Sequence, residues 1–278
     1  MNHFLRTLTA ALTLFLFDAC EAPQRGCLDI EATNLNVAAD KPCEDGCCKY
    51  PNLIISVNQE YNSAIWKTDT AYSNDLGQWF RIKSVVFYLS DIVLTQQGSP
   101  YQTDDVITLK RLGGTDTTTQ VFTDDFLLIR RTPVDYTVGA FRRSGVFEQV
   151  DARLGLTAAA NTVLPSSATG GHPLAKQNDS LWLNNTDRYV MMQIIMTRDT
   201  NVATTPDTLR FTKEDLGADG WKFTRTVNLT HEVGFDFNFD LTLDYFQLFK
   251  GVDLASTGIS QWKAKIVSNL NNTFVVSQ

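Results

Sequence analysis

Histidine is almost missing from this chain: there are three in 278 residues, His3, His172 and His231. His3 falls in the N-terminal leader, so a mature chain keeps two, which excludes sites built from three or more imidazoles. Cysteine stops at position 48. All five, Cys20, Cys27, Cys43, Cys47 and Cys48, come before residue 49, so the rest of the chain holds no thiol nucleophile, disulfide or thiolate zinc site. Positive charge is in deficit, with 24 Lys and Arg against 31 Asp and Glu, a net charge of −7 and a pI near 5.0. That balance speaks against a nucleic-acid partner, which calls for a basic face. Helical patterning is thin, with no heptads. The longest apolar run falls short of the roughly 20 residues that span a bilayer. A phosphate-cradling glycine loop, a dinucleotide fingerprint and a Gly-x-Ser-x-Gly elbow are missing, and a hydrolytic triad would have two histidines to draw on. No enzymatic activity is expected.

What is present begins with a leader. Arg6 supplies a basic start, and residues 8–17 form a short apolar run, the pattern of a secretory signal over residues 1–19. It ends in Phe17-Asp18-Ala19-Cys20. A small residue before cysteine resembles a bacterial lipoprotein cleavage box, with Cys20 as the lipidated first residue. The expected location is the envelope of a Gram-negative bacterium, with the protein held on the membrane by its lipid and facing the periplasm or the cell surface.

Export permits disulfides. Cys27, Cys43, Cys47 and Cys48 allow three pairings. A direct Cys47–Cys48 bond needs a strained vicinal ring, which favours Cys27 with one of Cys47 and Cys48, and Cys43 with the other. Zinc is a weaker reading, because adjacent cysteines fit tetrahedral ligation poorly. The stretch Gly26-Cys27-Leu28-Asp29, followed by Pro42-Cys43-Glu44-Asp45-Gly46-Cys47-Cys48-Lys49-Tyr50-Pro51, resembles a cysteine-stapled module of secreted and surface Bacteroidetes proteins. Residues 20–51 therefore read as a lipidated N-terminus and a stapled module too small to hold a core without crosslinks.

From residue 52 to 278 the pattern is period two. Residues 53–57, 80–94, 106–109, 126–129, 145–150, 208–212, 222–229 and 235–243 read as strands rich in β-branched and aromatic residues. Residues 189–196 form a near-continuous apolar run, which predicts a strand buried on both faces. Residues 244–249 and 152–160 could supply a turn or two of helix. Gly98-Ser99-Pro100, Gly113-Gly114 and Gly217-Ala218-Asp219-Gly220 mark turns. The expected fold is all-β, a single antiparallel β-sandwich of roughly eight to ten strands. A long polar loop over residues 156–185 carries Gly170-Gly171-His172-Pro173. Loops of that length are usually functional.

Four segments in order carry a family resemblance. They are Phe87-Tyr88-Leu89-Ser90-Asp91-Ile92 within residues 80–94; Val150-Asp151-Ala152-Arg153-Leu154-Gly155-Leu156; Gly171-His172-Pro173-Leu174 leading to Ser180-Leu181-Trp182; and residues 241–251 followed by Asn269-Leu270-Asn271-Asn272. The order and spacing resemble the MbnP-like domain, a family named for a periplasmic copper-binding protein associated with methanobactin. The resemblance implies a β-sandwich and copper held by histidines beside an oxidised tryptophan. Copper-binding members carry Trp-x-His. Here the residues two past Trp66, Trp79, Trp182, Trp221 and Trp262 are Thr68, Arg81, Asn184, Phe223 and Ala264. The remaining candidate ligands for copper are His172 and His231. Met192 and Met196, on one strand face, read as core filler. The alternative is a metal-free surface module that binds a glycan or an envelope protein, with Trp66, Tyr72, Trp79 and Trp182 as candidate stacking residues.

Overall fold

The computed structural model describes residues 22–44, 46–68, 70–114, 116–176, 181–184, 188–199, 201, 203–256 and 258–278. The leader and Cys20 lie outside the described residues.

Two sheets face one another. The longest strands form where apolar residues alternate. In β1, Asn52–Tyr61, every second side chain is buried. The larger sheet is built on β2, Trp79–Gln96. Its outer members are β3, Leu127–Ile129; β5, Gly145–Leu154; β6, Met192–Thr197; β7, Asp207–Phe211; and β8, Trp221–His231. The order is β7-β6-β2-β5-β8, with β3 and two three-residue strands also pairing with β2. The smaller sheet runs β4-β1-β9-β10, with β4 at Asp135–Ala140, β9 at Phe237–Asp244 and β10 at Phe274–Ser277. Apolar side chains from both inner faces make one continuous core, including Phe80, Phe87, Phe147, Phe237 and Phe239. The all-β sandwich is therefore present, with one departure: β1 and β9 pair in parallel, from Phe237 opposite Leu53 to Asp244 opposite Glu60.

A second core lies on the outer face of the larger sheet. There Val86, Tyr88 and Leu128 meet Leu109, Leu156, Val163, Leu174 and Tyr189. The hairpin of Val106–Gly113 and Asp116–Thr123 and the long loop from residue 156 supply this layer. In consequence the middle of β2, residues 85–90, is buried on both faces. The doubly buried strand expected at residues 189–196 is thus found in β2. Tyr189 and Val190 belong to the second core, and Met192, Ile194 and Met196 face the first.

Among the described residues three α-helices cap the sandwich: α1, Lys213–Leu216; α2, Tyr245–Leu248; and α3, Ile259–Thr273. The fifteen-residue α3 corrects the reading of a nearly helix-free chain. It buries Trp262, Ile266, Asn269, Leu270 and Thr273, a helical face at spacings of three and four. Residues 152–154 complete β5 and are not helical; a short 3-10 turn spans Ala160–Thr162.

The cysteine module is docked on the end of the sandwich. Its disulfides are Cys27–Cys48 and Cys43–Cys47, one of the two arrangements left open by the sequence. Arg142 lies 3.9 Å from the centre of the Tyr50 ring. Ser144 donates to Glu31 at 2.8 Å, and the Phe141 N–H donates to the Pro51 carbonyl.

Candidate binding sites

The two histidines occupy different parts of the fold: His172 meets Asp124 and Leu174, and His231 meets Arg143 and Phe235. His172, in the long loop, is held on both ring nitrogens. Nε2 lies 3.0 Å from the Asp124 carboxylate, and Nδ1 accepts the Leu174 N–H at 3.1 Å. One neutral tautomer, protonated at Nε2, satisfies both bonds. The ring also packs edge-on to Phe126. This His–Asp pair therefore staples the long loop to the hairpin layer, and no lone pair is left over for a metal or a proton transfer.

His231 ends β8 and is 2% exposed. It stacks on Phe237 with centroids 4.8 Å apart and planes 10° apart. Both ring nitrogens face backbone carbonyls: Nδ1 lies 2.6 Å from the Arg143 oxygen and Nε2 2.7 Å from the Phe235 oxygen. Each ring nitrogen therefore has a backbone oxygen in the direction from which a metal would approach. Among the described residues neither histidine belongs to a set of three or more His, Cys, Asp or Glu ligand atoms within 4.8 Å of one another. The donors present at His172 and His231 do not fit a copper ion. The methionines are core: Met191, Met192 and Met196 are each at most 2% exposed.

The aromatic candidates divide in the same way. Trp66 is 1% exposed, Trp79 is 55% exposed, Tyr72 stacks on Tyr61 at 4.1 Å and Trp182 packs on Tyr189 at 4.8 Å. They do not form an exposed coplanar platform.

Residues that carry the family resemblance form a largely buried knot in the middle of β2. Ser90 donates to the Gly155 carbonyl, and the Ile92 N–H donates to Asp125. Asp91, at φ 54°, turns its carboxylate to Arg153 at 2.6 Å. Arg153 also donates to the Asp219 carbonyl. Burial pushes the Asp125 carboxyl up to about 6; N–H groups of Ile92 and Asp91 pull it back in part, and the Asp91 charge adds to the rise. The motif therefore fastens β2, β3, β5 and the loop before β8. Its contacts tie these elements together, with the Asp91–Arg153 pair at its partly exposed edge.

Sequence reasoning missed a groove at the seam between the sheets. The segment Arg130–Val134 carries the chain from β3 in one sheet to β4 in the other. Gln59 holds it, donating to the Arg130 carbonyl at 2.7 Å while accepting from the Tyr245 hydroxyl at 2.7 Å. Under the crossing lies Trp66, whose N–H backbone donates to Gln59 and whose ring meets Tyr245 edge-on at 5.3 Å. Its indole Nε1 is buried without a hydrogen-bond partner. Two depressions, of about 300 and 210 Å3, flank the crossing and share Trp66, Arg131 and Thr132. The first adds Asn58, Glu60, Ile65 and Val134, and the second adds Thr68, Lys83 and Ser84. The Arg131 guanidinium sits 5.9 Å from the Trp66 ring centre. Of this groove the sequence singled out Trp66 alone, as a candidate stacking residue; the rest of the lining comes from β1, the residues that follow it, β2 and the crossing at 130–134, which are spread along the chain.

A search of curated proteins finds no match. Among solved structures, MbnP from Methylosinus trichosporium aligns at 10% identity and a TM-score of 0.43, over 81% of this chain and 97% of that one. The family model described as MbnP matches residues 50–267, which takes in the larger sheet, the smaller sheet except β10, and the first nine residues of α3. This chain belongs to the MbnP family.

Proposed function

We propose that this protein is a non-catalytic binding lipoprotein of the bacterial envelope, anchored through Cys20. On this reading the seam groove at Trp66 takes an anionic, hydroxyl-rich ligand of the acidic saccharide class. The observation that carries it is the smaller depression, which brings two cations, Arg131 and Lys83, together with Thr68, Ser84 and Thr132 beside Trp66. Charge-assisted bonds to a carboxylate and ordinary bonds to hydroxyls are the recognition such a lining supports. The copper expected from the family resemblance has no support at His172 and His231, whose nitrogens already face protein partners.

Calorimetric titration with uronic-acid oligosaccharides tests the groove. Binding that weakens with salt and falls at least about tenfold in an Arg131→Ala, Lys83→Ala double variant is expected, as for loss of charged bonds. Binding unchanged by the double variant would overturn the site. Metal analysis after copper loading and exhaustive dialysis addresses the other reading. Stoichiometric copper that is lost in His172→Ala or His231→Ala would overturn the metal-free assignment of those residues.

A further inference from the structure

The Cys43, Cys47 and Cys48 sulfurs all lie within 4.8 Å of one another. They line an open groove of about 460 Å3 beside Asp29 and Glu44. The two disulfides here are unlike. Cys27–Cys48 joins residues 21 apart and has one end 2% exposed, whereas Cys43–Cys47 joins residues four apart and both ends are partly exposed. Closing a short loop restricts the unfolded chain little, so the second bond contributes less to holding the module. Its exposure also admits an attacking thiolate.

The backbone around the pair is fixed without that bond. The Cys43 N–H donates to the Gly26 carbonyl, and the Cys47 N–H donates to the Glu44 carbonyl. The Asn34 side chain donates to the Cys47 carbonyl at 2.8 Å and accepts the Lys49 N–H at 2.8 Å. Breaking Cys43–Cys47 would therefore leave two thiols side by side on a framework held by hydrogen bonds and by Cys27–Cys48.

We propose that Cys43 and Cys47 form a reducible pair that, as a dithiolate, binds a soft d10 cation of the Cu(I) class. An external dithiol supplies the electrons. Its thiolate attacks one sulfur of the Cys43–Cys47 bond, giving a mixed disulfide and releasing the other cysteine as a thiolate. The second thiol of the reductant then resolves the mixed disulfide. The reductant leaves oxidised to its own disulfide, and Cys43 and Cys47 remain as thiols. The cation displaces their two protons to solvent. Thiolate suits Cu(I), and the ligation rests on the two sulfurs; the charged groups beside them are the carboxylates of Asp29 and Glu44 and the guanidinium of Arg142. This site is separate from both histidines and from the seam groove.

The test uses the full chain carrying Cys20→Ser, so that four cysteines remain. Limited dithiothreitol is expected to expose two thiols per chain before the other two. The half-reduced protein, kept anaerobic, is expected to hold one Cu(I) per chain against a chromophoric Cu(I) chelator. The oxidised protein and a Cys43→Ser, Cys47→Ser double variant should hold none, and His172→Ala, His231→Ala should bind as the parent does. Circular dichroism of the double variant checks that the sandwich is intact. Release of all four thiols together, absence of Cu(I) from the half-reduced chain, or equal Cu(I) in the double variant would each overturn the proposal.

Discussion

Asp125 is 3% exposed and sits at the entry to β3 against the knot in β2. Its carboxyl, pushed up to about 6 by burial, gives the molecule a built-in pH response. The native state binds this proton more tightly than the unfolded chain does, where the ordinary value is 3.8. Below about 3.8 the residue therefore costs nothing. The cost grows as pH rises, levels off above about 6, and reaches about 3 kcal/mol at most, at 1.36 kcal/mol per pH unit. Asp125→Asn keeps an acceptor for the Ile92 N–H but cannot ionise. Chemical unfolding at pH 4 and pH 8 is expected to show the wild type losing up to about 3 kcal/mol more than the variant across that interval. Parallel pH profiles would show that the buried carboxyl does not control stability.

At the residue scale the sequence was informative about type and silent about partners. It named His172 and His231 as the two imidazoles able to ligate a metal. What decides their chemistry is the carbonyl, carboxylate or N–H each ring nitrogen meets, and those come from residues as remote as Arg143 and Asp124. Trp66 looked like a stacking surface because tryptophan often is one. Its burial follows from the Arg130–Val134 crossing, which no local pattern announces.

At the scale of elements, period-two alternation located the main strands because a half-buried strand must alternate. The pattern failed where burial changed. Residues 85–90 lose the alternation because a second layer covers β2 from outside. Phe235 continues the alternation of residues 235–243 on paper, yet it is 65% exposed, since β9 begins at Phe237. Helix α3 escaped notice because serine, asparagine and threonine fill much of it and lower its helix propensity. Packing overrides propensity there. Asn269 donates to the Leu248 and Lys250 carbonyls, and Trp262 donates to the Asp253 carbonyl at 2.7 Å. Ile266 is 0% exposed at the centre of that face. Ile266→Ala should cost about 2–5 kcal/mol of unfolding free energy, the range for emptying a packed core site. Val267→Ala, one position round the helix and only partly buried, should cost clearly less. Equal losses measured in urea would mean that α3 does not hold to the core through this face.

At the scale of the molecule, the sequence separated a stapled N-terminal module from a sandwich, and the structure joins them. A stalk would leave the sandwich indifferent to its disulfides. Instead Tyr50 lies under Arg142, which also pairs with Asp104 at 2.9 Å, and Glu31 accepts from Ser144. Asp29 accepts from the Tyr50 hydroxyl at 2.9 Å, so the module's own turn is tied to the residue that docks. Cys27–Cys48 closes this unit around a cysteine that is 2% exposed. Replacing both with serine removes the crosslink and leaves two polar groups where sulfur was enclosed. A loss of about 2–4 kcal/mol is expected for a native disulfide, and it should appear first as local opening. Amide exchange over residues 22–50 should rise sharply, and exchange at Arg142 and Ser144 should rise with it because their partners lie in the module. The central strands β1 and β2, closed by the inter-sheet core, should keep their protection. Faster exchange confined to residues 22–50 would identify the module as an independent appendage. Spread to residues 142–144 would identify it as a cap on the sandwich, which is what the Arg142–Tyr50 contact predicts.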